Sequence, residues 1–319
     1  MSKILLTGSS GFIGQALAQR LLVEGHRLKL PVRSKLSWES DNAQVFHFDG
    51  LEAPTDWSAA LKGIDAVIHC AAPPPAMNET AADPLAEYRR CNVNATVRLA
   101  SQAARAGVRR FVFVSTVEVC GEETPPDQPF SVDSVPAPTS FHAISKLEAE
   151  RALFALTASS GMEAVIVRPP LVYGPGVKGD FHALMRLLSA GKPLPLADAK
   201  NRRSLISRSN LVDALTLCLR HPAVAGHILH VSDGEDLSIA ALLSKLGEAL
   251  GKPPQLSHKP AWLLMKRIPS EHRALVKRLK TNMRVDMEHT RHLLNWNPPY
   301  GIDDSLAQTV AHFLKYPQN

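Results

Sequence analysis

Three glycines near the start of the chain, Gly8, Gly11 and Gly14, have the spacing of a phosphate-binding turn. The short apolar run Lys3–Thr7 precedes them, and apolar residues recur at helical spacing from Phe12 onward. Such a turn lets the backbone approach a pyrophosphate closely, and the N-terminus of the following helix stabilises its charge. A glycine triplet alone is a weak signal, but its place between a strand and a helix predicts a dinucleotide site.

The elements that must position this turn alternate along the first half of the chain. Short apolar runs predict strands at Lys3–Thr7, Leu28–Val32, Gln44–Phe48, Ala66–Cys70, Phe111–Ser115 and Ala164–Val167. Besides the helix that begins at Phe12, helical spacing predicts helices at Trp57–Lys62, Pro84–Ala106, Phe141–Ser159, Phe181–Ala190, Leu211–Arg220 and Ile239–Leu250. The alternation predicts an α/β fold with a Rossmann-type doubly wound parallel sheet.

We expect two domains. Residues 1–170, with a return segment near 209–232, form the predicted dinucleotide-binding domain. Residues 171–208 and 233–319 form a smaller C-terminal substrate-binding domain. It should lie over the carboxyl ends of the strands, where such sheets bind ligands.

Composition narrows the class of protein. A chain of 319 residues, 45% of them hydrophobic, can bury a core without disulfides or metals. The four cysteines are scattered, which indicates free thiols in a reducing compartment and predicts no metal site. No stretch approaches the ~20 apolar residues of a membrane span, and the N-terminal apolar run is too short for a signal peptide. We therefore expect a cytoplasmic protein.

The net charge of +6 is concentrated in one stretch, Lys259–Arg291. A basic face of this kind could attract phosphates, an anionic membrane surface or nucleic acid. The alternative is a solvated helical face. Because no Phe, Tyr or Trp lies among the basic residues from Lys266 to Arg284, we expect no nucleic-acid partner.

Landmarks along nearly the whole chain resemble the extended branch of the short-chain dehydrogenase/reductase superfamily, the NAD(P)-dependent epimerases and dehydratases. They are the GxxGxxG turn, Asp49 after the third strand, Val67–Ala72, Asn92–Thr96, Arg168–Gly176 and Asn295–Pro298. The five landmarks that follow the glycine turn in order are far more specific than any one of them. The resemblance implies cofactor contacts from Gly8, Ser10, Gly11, Phe12, Ile13, Gly14, Arg33, Asp49, Ala71, Ala72, Asn92, Lys146 and Pro169.

The end of the second strand bears on the choice between NAD and NADP. A carboxylate there would accept a hydrogen bond from a ribose 2′-hydroxyl. The chain has Arg33 and no carboxylate, and a guanidinium can pair with a 2′-phosphate. We therefore expect NAD or NADP as cofactor, with NADP slightly favoured. The alternative is a surface arginine beside a site that binds NAD through other contacts.

The resemblance also implies the catalytic groups. Members of this family use a Ser/Thr hydroxyl after the fifth strand and a Tyr-x-x-x-Lys pair on one helix face. The ammonium lowers the pKa of the phenol, and the phenolate removes a hydroxyl proton as hydride leaves the substrate. Thr116 and Lys146 match the hydroxyl and the lysine, but His142 occupies the tyrosine position.

A histidine changes this chemistry. Its ring nitrogen ends about 2 Å short of the point that the phenol oxygen of a tyrosine would reach, and its ordinary pKa near 6.5 leaves it largely neutral at pH 7. Three interpretations stay open: an altered base, a lost or very weak activity, and an engineered substitution. Neighbouring departures at Cys120, Phe141 and Ala143 favour natural drift over a single engineered change.

The substrate side resembles UDP-sugar 4-epimerases and 4-keto-sugar reductases in two segments, Gly176–Phe181 and Asn201–Leu205. The resemblance implies substrate contacts from Thr116, Tyr173, Asp180 and Arg203, with Arg203 at the diphosphate. Arg203 could instead be a surface arginine and Tyr173 a core aromatic. Asp180 stands where relatives often have an amide, and Ser207–Asp213 replaces a more acidic pattern.

We therefore expect an enzyme acting on a nucleotide sugar, as a UDP-sugar 4-epimerase or a 4-ketoreductase. A catalytically weak or inactive NAD(P)-binding protein that has lost its general base is the alternative. Reduction of a hydrophobic ketone such as a steroid is disfavoured by the Asn201–Ser204 segment. Relatives often form dimers, so a homodimer through the helices near Pro84–Ala106 and Phe141–Ser159 is a further expectation from the resemblance.

Overall fold

The computed structural model describes residues 1–33, 36, 38–52, 54–73, 82–191, 193–194, 196, 199–257 and 279–317. Most of the basic stretch that the sequence singles out, from 259 to 278, therefore lies outside the described residues. None of the described helices is long and apolar enough to cross a membrane.

The described strands are β1 (Lys3–Thr7), β2 (Arg27–Val32), β3 (Ala43–His47), β4 (Ala66–His69), β5 (Arg110–Val114), β6 (Glu163–Arg168), β7 (Leu171–Tyr173), β8 (Arg202–Ser207), β9 (Ile228–His230) and β10 (Asp236–Ser238). Seven of them form one parallel sheet in the order β3-β2-β1-β4-β5-β6-β9. The strand order changes direction between β1 and β4. The carboxyl ends of these two strands are where a doubly wound sheet opens a binding crevice.

The described helices are α1 (Phe12–Val23), α2 (Ser58–Leu61), α3 (Pro84–Tyr88), α4 (Ala95–Arg105), α5 (Phe141–Thr157), α6 (Gly179–Ser189), α7 (Arg208–Cys218), α8 (Ile239–Ala249), α9 (Glu288–Leu294) and α10 (Ile302–Lys315). Helices α1 and α7 pack on one face of the large sheet, and α4 and α5 pack on the other. Successive side chains of a strand point to opposite faces, so each strand contributes to both cores. On β1, Ile4 and Leu6 pack into the core that α1 and α7 complete, whereas Leu5 packs into the core under α4 and α5. The predicted doubly wound sheet is confirmed.

A second, smaller sheet has the order β10-β8-β7. Side chains from α6, α8 and α10 form a separate core with it, and Tyr173, Phe181 and Phe313 are its large aromatic members. No strand is predicted above at β7 or β8. β7 has only three residues and lies between Pro170 and Gly174, and β8 begins with the polar residues Arg202, Arg203 and Ser204. The domain boundaries given above stay a prediction.

The single predicted helix Pro84–Ala106 is wrong in one respect. The chain forms α3, then a π-helical turn at Arg89–Asn94, then α4. A π-helical turn holds one more residue than an α-helical turn and often marks a functional site. Here the wider turn buries Asn92, whose side-chain nitrogen donates to Ser145 Oγ on α5 at 2.9 Å.

Candidate functional site

The glycine turn has the shape of a backbone cradle. Gly8 has φ +76°, and a Cβ there would lie 2.7 Å from the Ala71 backbone nitrogen. A Cβ on Gly14 would lie 2.1 Å from the Gly8 carbonyl oxygen, and Gly11 N–H donates to that same oxygen at 2.9 Å. Only glycine fits these contacts, because every other residue carries the Cβ that would clash.

The turn also presents unsatisfied donors. The first N–H groups of α1, from Phe12 onward, have no intrahelical acceptor. Ser9 is fully buried, and its hydroxyl has no hydrogen-bond partner within the described part of the chain. A cradle with helix N–H donors and a spare hydroxyl fits a pyrophosphate, which accepts hydrogen bonds and carries negative charge. Ser10 is exposed at the rim of this turn, and Ile13 is half-buried beside Phe12.

The end of β4 lies beside the glycine turn. Thr7 Oγ1 and His69 Nδ1 form a hydrogen bond of 2.6 Å, and Ala71 N–H donates to the same Thr7 oxygen at 3.4 Å. The His69 ring stacks on Phe113 with ring centres 5.8 Å apart. Burial, aided by the charge of Lys146, lowers the pKa of His69 to about 3, so this ring is neutral at pH 7. Ala71 and Ala72 follow at the surface of the crevice.

The side chain of Lys146 extends from α5 toward these residues. Its Nζ donates to the Val114 carbonyl at 2.9 Å and lies 4.5 Å from the centre of the Phe113 ring. The side chain is buried, and burial lowers its pKa to about 8. An ammonium held at the carboxyl end of β5 can hydrogen bond to a ribose hydroxyl or stabilise a developing anion.

His142 lies one helical turn before Lys146 on α5. Its ring is half-buried and meets the Tyr88 ring edge-on, with centres 6.0 Å apart. Its backbone carbonyl accepts from Ser145 Oγ at 2.8 Å, and Ser145 Oγ in turn accepts from Asn92. Burial and the nearby Lys146 lower the pKa of the imidazole to about 4. The ring is therefore a neutral and weak base at pH 7.

Thr116 stands two residues beyond the carbonyl that holds Lys146. Its hydroxyl oxygen accepts from Glu118 N–H at 3.2 Å and caps a short 3₁₀ turn, Val117–Cys120. The hydroxyl hydrogen can still be donated to another oxygen. Val117 N–H donates to the Pro169 carbonyl at 3.0 Å, which ties this turn to the segment after β6.

A buried ion pair that the sequence analysis does not predict joins these elements. Glu150 Oε2 lies 2.6 Å from an Arg168 nitrogen, and both side chains are buried. Ser115 Oγ also donates to Glu150, and Arg168 contacts Cys120 Sγ at 3.5 Å. One carboxylate thus links α5 to the ends of β5 and β6. The available sequence signal is that Glu150 lies four residues after Lys146, on the same helix face.

Two predicted cofactor residues lie at the far end of the same edge. Arg33 is exposed after β2, and its Cδ is 3.7 Å from where a Cβ on Gly50 would lie. The Asp49 carboxylate is 83% exposed and 3.5 Å from His47 Nε2. Both side chains are exposed at the carboxyl ends of β2 and β3, within reach of a ligand that lies along these ends.

On the substrate side, Tyr173 is fully buried, stacks on Phe181 and donates its hydroxyl to Asp233 at 2.8 Å. This placement favours the core alternative for Tyr173. Arg203 is half-buried and donates to the Thr281 carbonyl at 3.3 Å and to its hydroxyl at 3.2 Å. Asp180 lies in the first turn of α6 and is half-buried.

Comparisons with known proteins agree with this arrangement. The model of the NAD dependent epimerase/dehydratase family matches residues 4–233. UDP-glucose 4-epimerase of Vibrio cholerae is 41% identical over 317 residues, which is 98% of this chain and 95% of that protein. The 2-alkyl-3-oxoalkanoate reductase of Stenotrophomonas maltophilia is 28% identical and covers 97% of this chain and 98% of its own length.

Among solved structures, MoeE5 in complex with UDP-glucose and NAD matches with a TM-score of 0.79 and 27% identity. The match covers 99% of this chain and 100% of that chain. With the family model over most of the length and a relative well above 30% identity, the chain belongs to the NAD dependent epimerase/dehydratase family.

Proposed function

We propose that the chain is an NAD(P)-dependent oxidoreductase that acts on a nucleotide sugar, as a UDP-sugar 4-epimerase or a 4-ketoreductase. The observation that carries the proposal is the common edge of the sheet on which the Gly8–Gly14 cradle, Lys146 and Thr116 converge. The 41% identical relative is a UDP-glucose 4-epimerase, and the solved relative MoeE5 binds UDP-glucose and NAD.

The cofactor would lie across the glycine cradle, with its ribose near Lys146 and its adenosine end toward Arg33 and Asp49. A bound nicotinamide supplies the hydride acceptor or donor. Solved relatives contain NAD, whereas Arg33 without a neighbouring carboxylate favours NADP. Comparing the dissociation constants of NADH and NADPH decides between the two cofactors. Replacement of Arg33 by alanine should weaken the binding of NADPH and leave the binding of NADH unchanged.

Three side chains, those of Thr116, His142 and Lys146, would carry out the proton transfer. Thr116 Oγ donates its hydrogen to the reacting sugar oxygen, which holds that oxygen beside α5. The neutral His142 imidazole accepts the hydroxyl proton, directly or through one water that spans the shorter reach of the ring. The Lys146 ammonium stabilises the negative charge that develops on the oxygen.

A second candidate, a dinucleotide-binding protein with little turnover, is favoured by the low basicity of His142. A base with a pKa of about 4 has little driving force to take a proton from an alcohol at pH 7. This protein would keep the cradle and Lys146 while the proton step is slow.

One set of assays separates these functions. An epimerase interconverts UDP-glucose and UDP-galactose without net consumption of cofactor, whereas a ketoreductase consumes NADPH with a 4-keto sugar nucleotide. A binding protein shows a thermal shift with UDP and with NADH but no turnover. Absence of any thermal shift with UDP, UDP-glucose or UDP-galactose would contradict the nucleotide-sugar assignment.

A further inference from the structure

Arg208, the first residue of α7, lies where the phosphate turn meets the small sheet. Its guanidinium carbon is 5.0 Å from the centre of the ring of Phe12, the first residue of α1. The loop after β7 also lies close to both residues, since a Cβ on Gly174 would lie 2.9 Å from Arg208 Cβ and 3.6 Å from Phe12 Cζ. The side chain is half-buried between these three elements.

The charge of Arg208 lacks a counterion within the described part of the chain. Three other enclosed arginines have a carboxylate partner: Arg110 pairs with Glu163, Arg168 with Glu150 and Arg284 with Asp236. Arg208 forms no ion pair among the described residues, and burial lowers the pKa of its guanidinium. A partly enclosed cation without a partner is costly, so the position is expected to attract an anion.

The surroundings increase the positive potential. A cation in the first turn of a helix is unfavourable because the helix dipole is positive at that end. The α1 N-terminus, beyond Phe12, points its own free N–H groups into the same crevice. Stacking on Phe12 keeps the planar guanidinium in one orientation, and its fork of donors suits phosphate oxygens.

We infer that Arg208 binds a diphosphate, contacting it at the crevice between the Gly8–Gly14 turn and the loop after β7. The inference rests on the proposed function and assigns one more binding residue to that site. The diphosphate has two sources, the pyrophosphate of the dinucleotide and the diphosphate of the nucleotide sugar. Contact with Phe12, which begins α1, favours the dinucleotide.

The test measures the affinities of the purified full-length chain for NADH and for UDP in wild type and in Arg208→Met. Methionine keeps the unbranched stem on Phe12 and removes the charge. Loss of charge-assisted hydrogen bonds to phosphate predicts about 10- to 100-fold weaker binding. Arg220→Met is the matched control, since Arg220 follows the same helix and is 63% exposed, and it should leave both affinities unchanged.

Each outcome decides the inference. Weaker NADH binding with unchanged UDP binding supports the cofactor as the source, and the reverse supports the sugar nucleotide. Unchanged affinities in folded Arg208→Met overturn the inference but leave the proposed function intact, whereas wild type that binds neither ligand overturns both. Should the methionine variant fail to fold, Arg208→Lys is the second variant, because lysine keeps the charge but lacks the fork of donors. We expect it to bind NADH or UDP about threefold to tenfold more weakly than wild type. Wild-type affinity of Arg208→Lys for both ligands would contradict the inference.

Discussion

At the scale of single residues, we propose that the basicity of His142 limits the rate at this site. It lies on the correct helix face, one turn before Lys146, but burial beside that ammonium lowers its pKa to about 4. A phenol at this position would reach further and would gain acidity from the same ammonium. The Lys146 charge, which weakens an imidazole as a base, would thus help to activate a tyrosine, whereas burial would oppose that activation.

We expect His142→Tyr to raise kcat, by at least about tenfold, since a well-matched general base contributes 10²- to 10⁴-fold. His142→Phe, which keeps an aromatic ring but supplies no proton acceptor, should not raise it. The measurement is the steady-state rate with the substrate that wild type turns over. If wild type shows no turnover, UDP-glucose and UDP-galactose are used. Equal rates for wild type and His142→Tyr would show that the base is not what limits the reaction.

At the scale of elements, the ion pair between Glu150 and Arg168 joins α5, which carries the proposed catalytic groups His142 and Lys146, to β6. Breaking a buried pair leaves an uncompensated charge, so Glu150→Gln should lower the free energy of unfolding by about 3–5 kcal/mol. The double variant Glu150→Leu with Arg168→Met should be much closer to wild type, because no lone charge remains. Urea unfolding of the single and double variants tests this, and additive losses would argue against a coupled pair.

The glycine turn gives a second test at this scale. Gly14→Ala puts a methyl group 2.1 Å from a backbone oxygen and should abolish NADH binding, as measured by the quenching or shift of NADH fluorescence. Gly25→Ala is the matched control. Gly25 has φ +82° with nothing within 4 Å of its added Cβ, so this variant should lose only about 1–2 kcal/mol of stability and keep its NADH affinity. Tight NADH binding by Gly14→Ala would contradict the proposed role of the turn.

The sequence predicts elements with strong periodicity well. Lys3–Thr7 is confirmed residue for residue, and the predicted helix Phe141–Ser159 ends only two residues too late. It does not predict the strands of the small sheet, because three-residue strands such as Leu171–Tyr173 have no detectable period. Nor does it predict the π-helical turn at Arg89–Asn94, which depends on the contact between Asn92 and α5.

Similar limits apply to the site. The glycine cradle could be predicted because Gly8, Gly11 and Gly14 lie close together in the sequence between a strand and a helix. The Glu150–Arg168 pair and the stacking of Arg208 on Phe12 could not, since each joins residues far apart in the chain. The burial that lowers the pKa of His142 also arises from tertiary packing rather than from neighbours in the sequence.

At the scale of the whole molecule, buried neutral histidines should make stability depend on pH. Burial lowers the pKa of His69 to about 3 and of His230 to about 4, against an ordinary 6.5. Below pH 6.5 the unfolded chain binds protons that the folded chain does not, so the free energy of unfolding falls as pH falls. Each histidine contributes up to about 1.4 kcal/mol per pH unit between 6.5 and its folded pKa.

Urea unfolding at pH 7, 6 and 5 should therefore give progressively lower unfolding free energies. His230→Asn should show a shallower slope than wild type over this range, whatever its absolute stability. A pH-independent free energy of unfolding between 7 and 5 would contradict the buried, neutral state of these rings. The predicted homodimer is a separate whole-molecule expectation, which light scattering can test.

The central claim is that the turn from Gly8 to Gly14 binds the pyrophosphate of a pyridine dinucleotide beside Thr116 and Lys146. Calorimetric titration of the full-length chain with NADH and with NADPH tests it most directly. We expect saturable binding of at least one of them, lost in Gly14→Ala and kept in Gly25→Ala. Purified, folded protein that binds neither dinucleotide would contradict both the enzymatic proposal and its weakly active alternative.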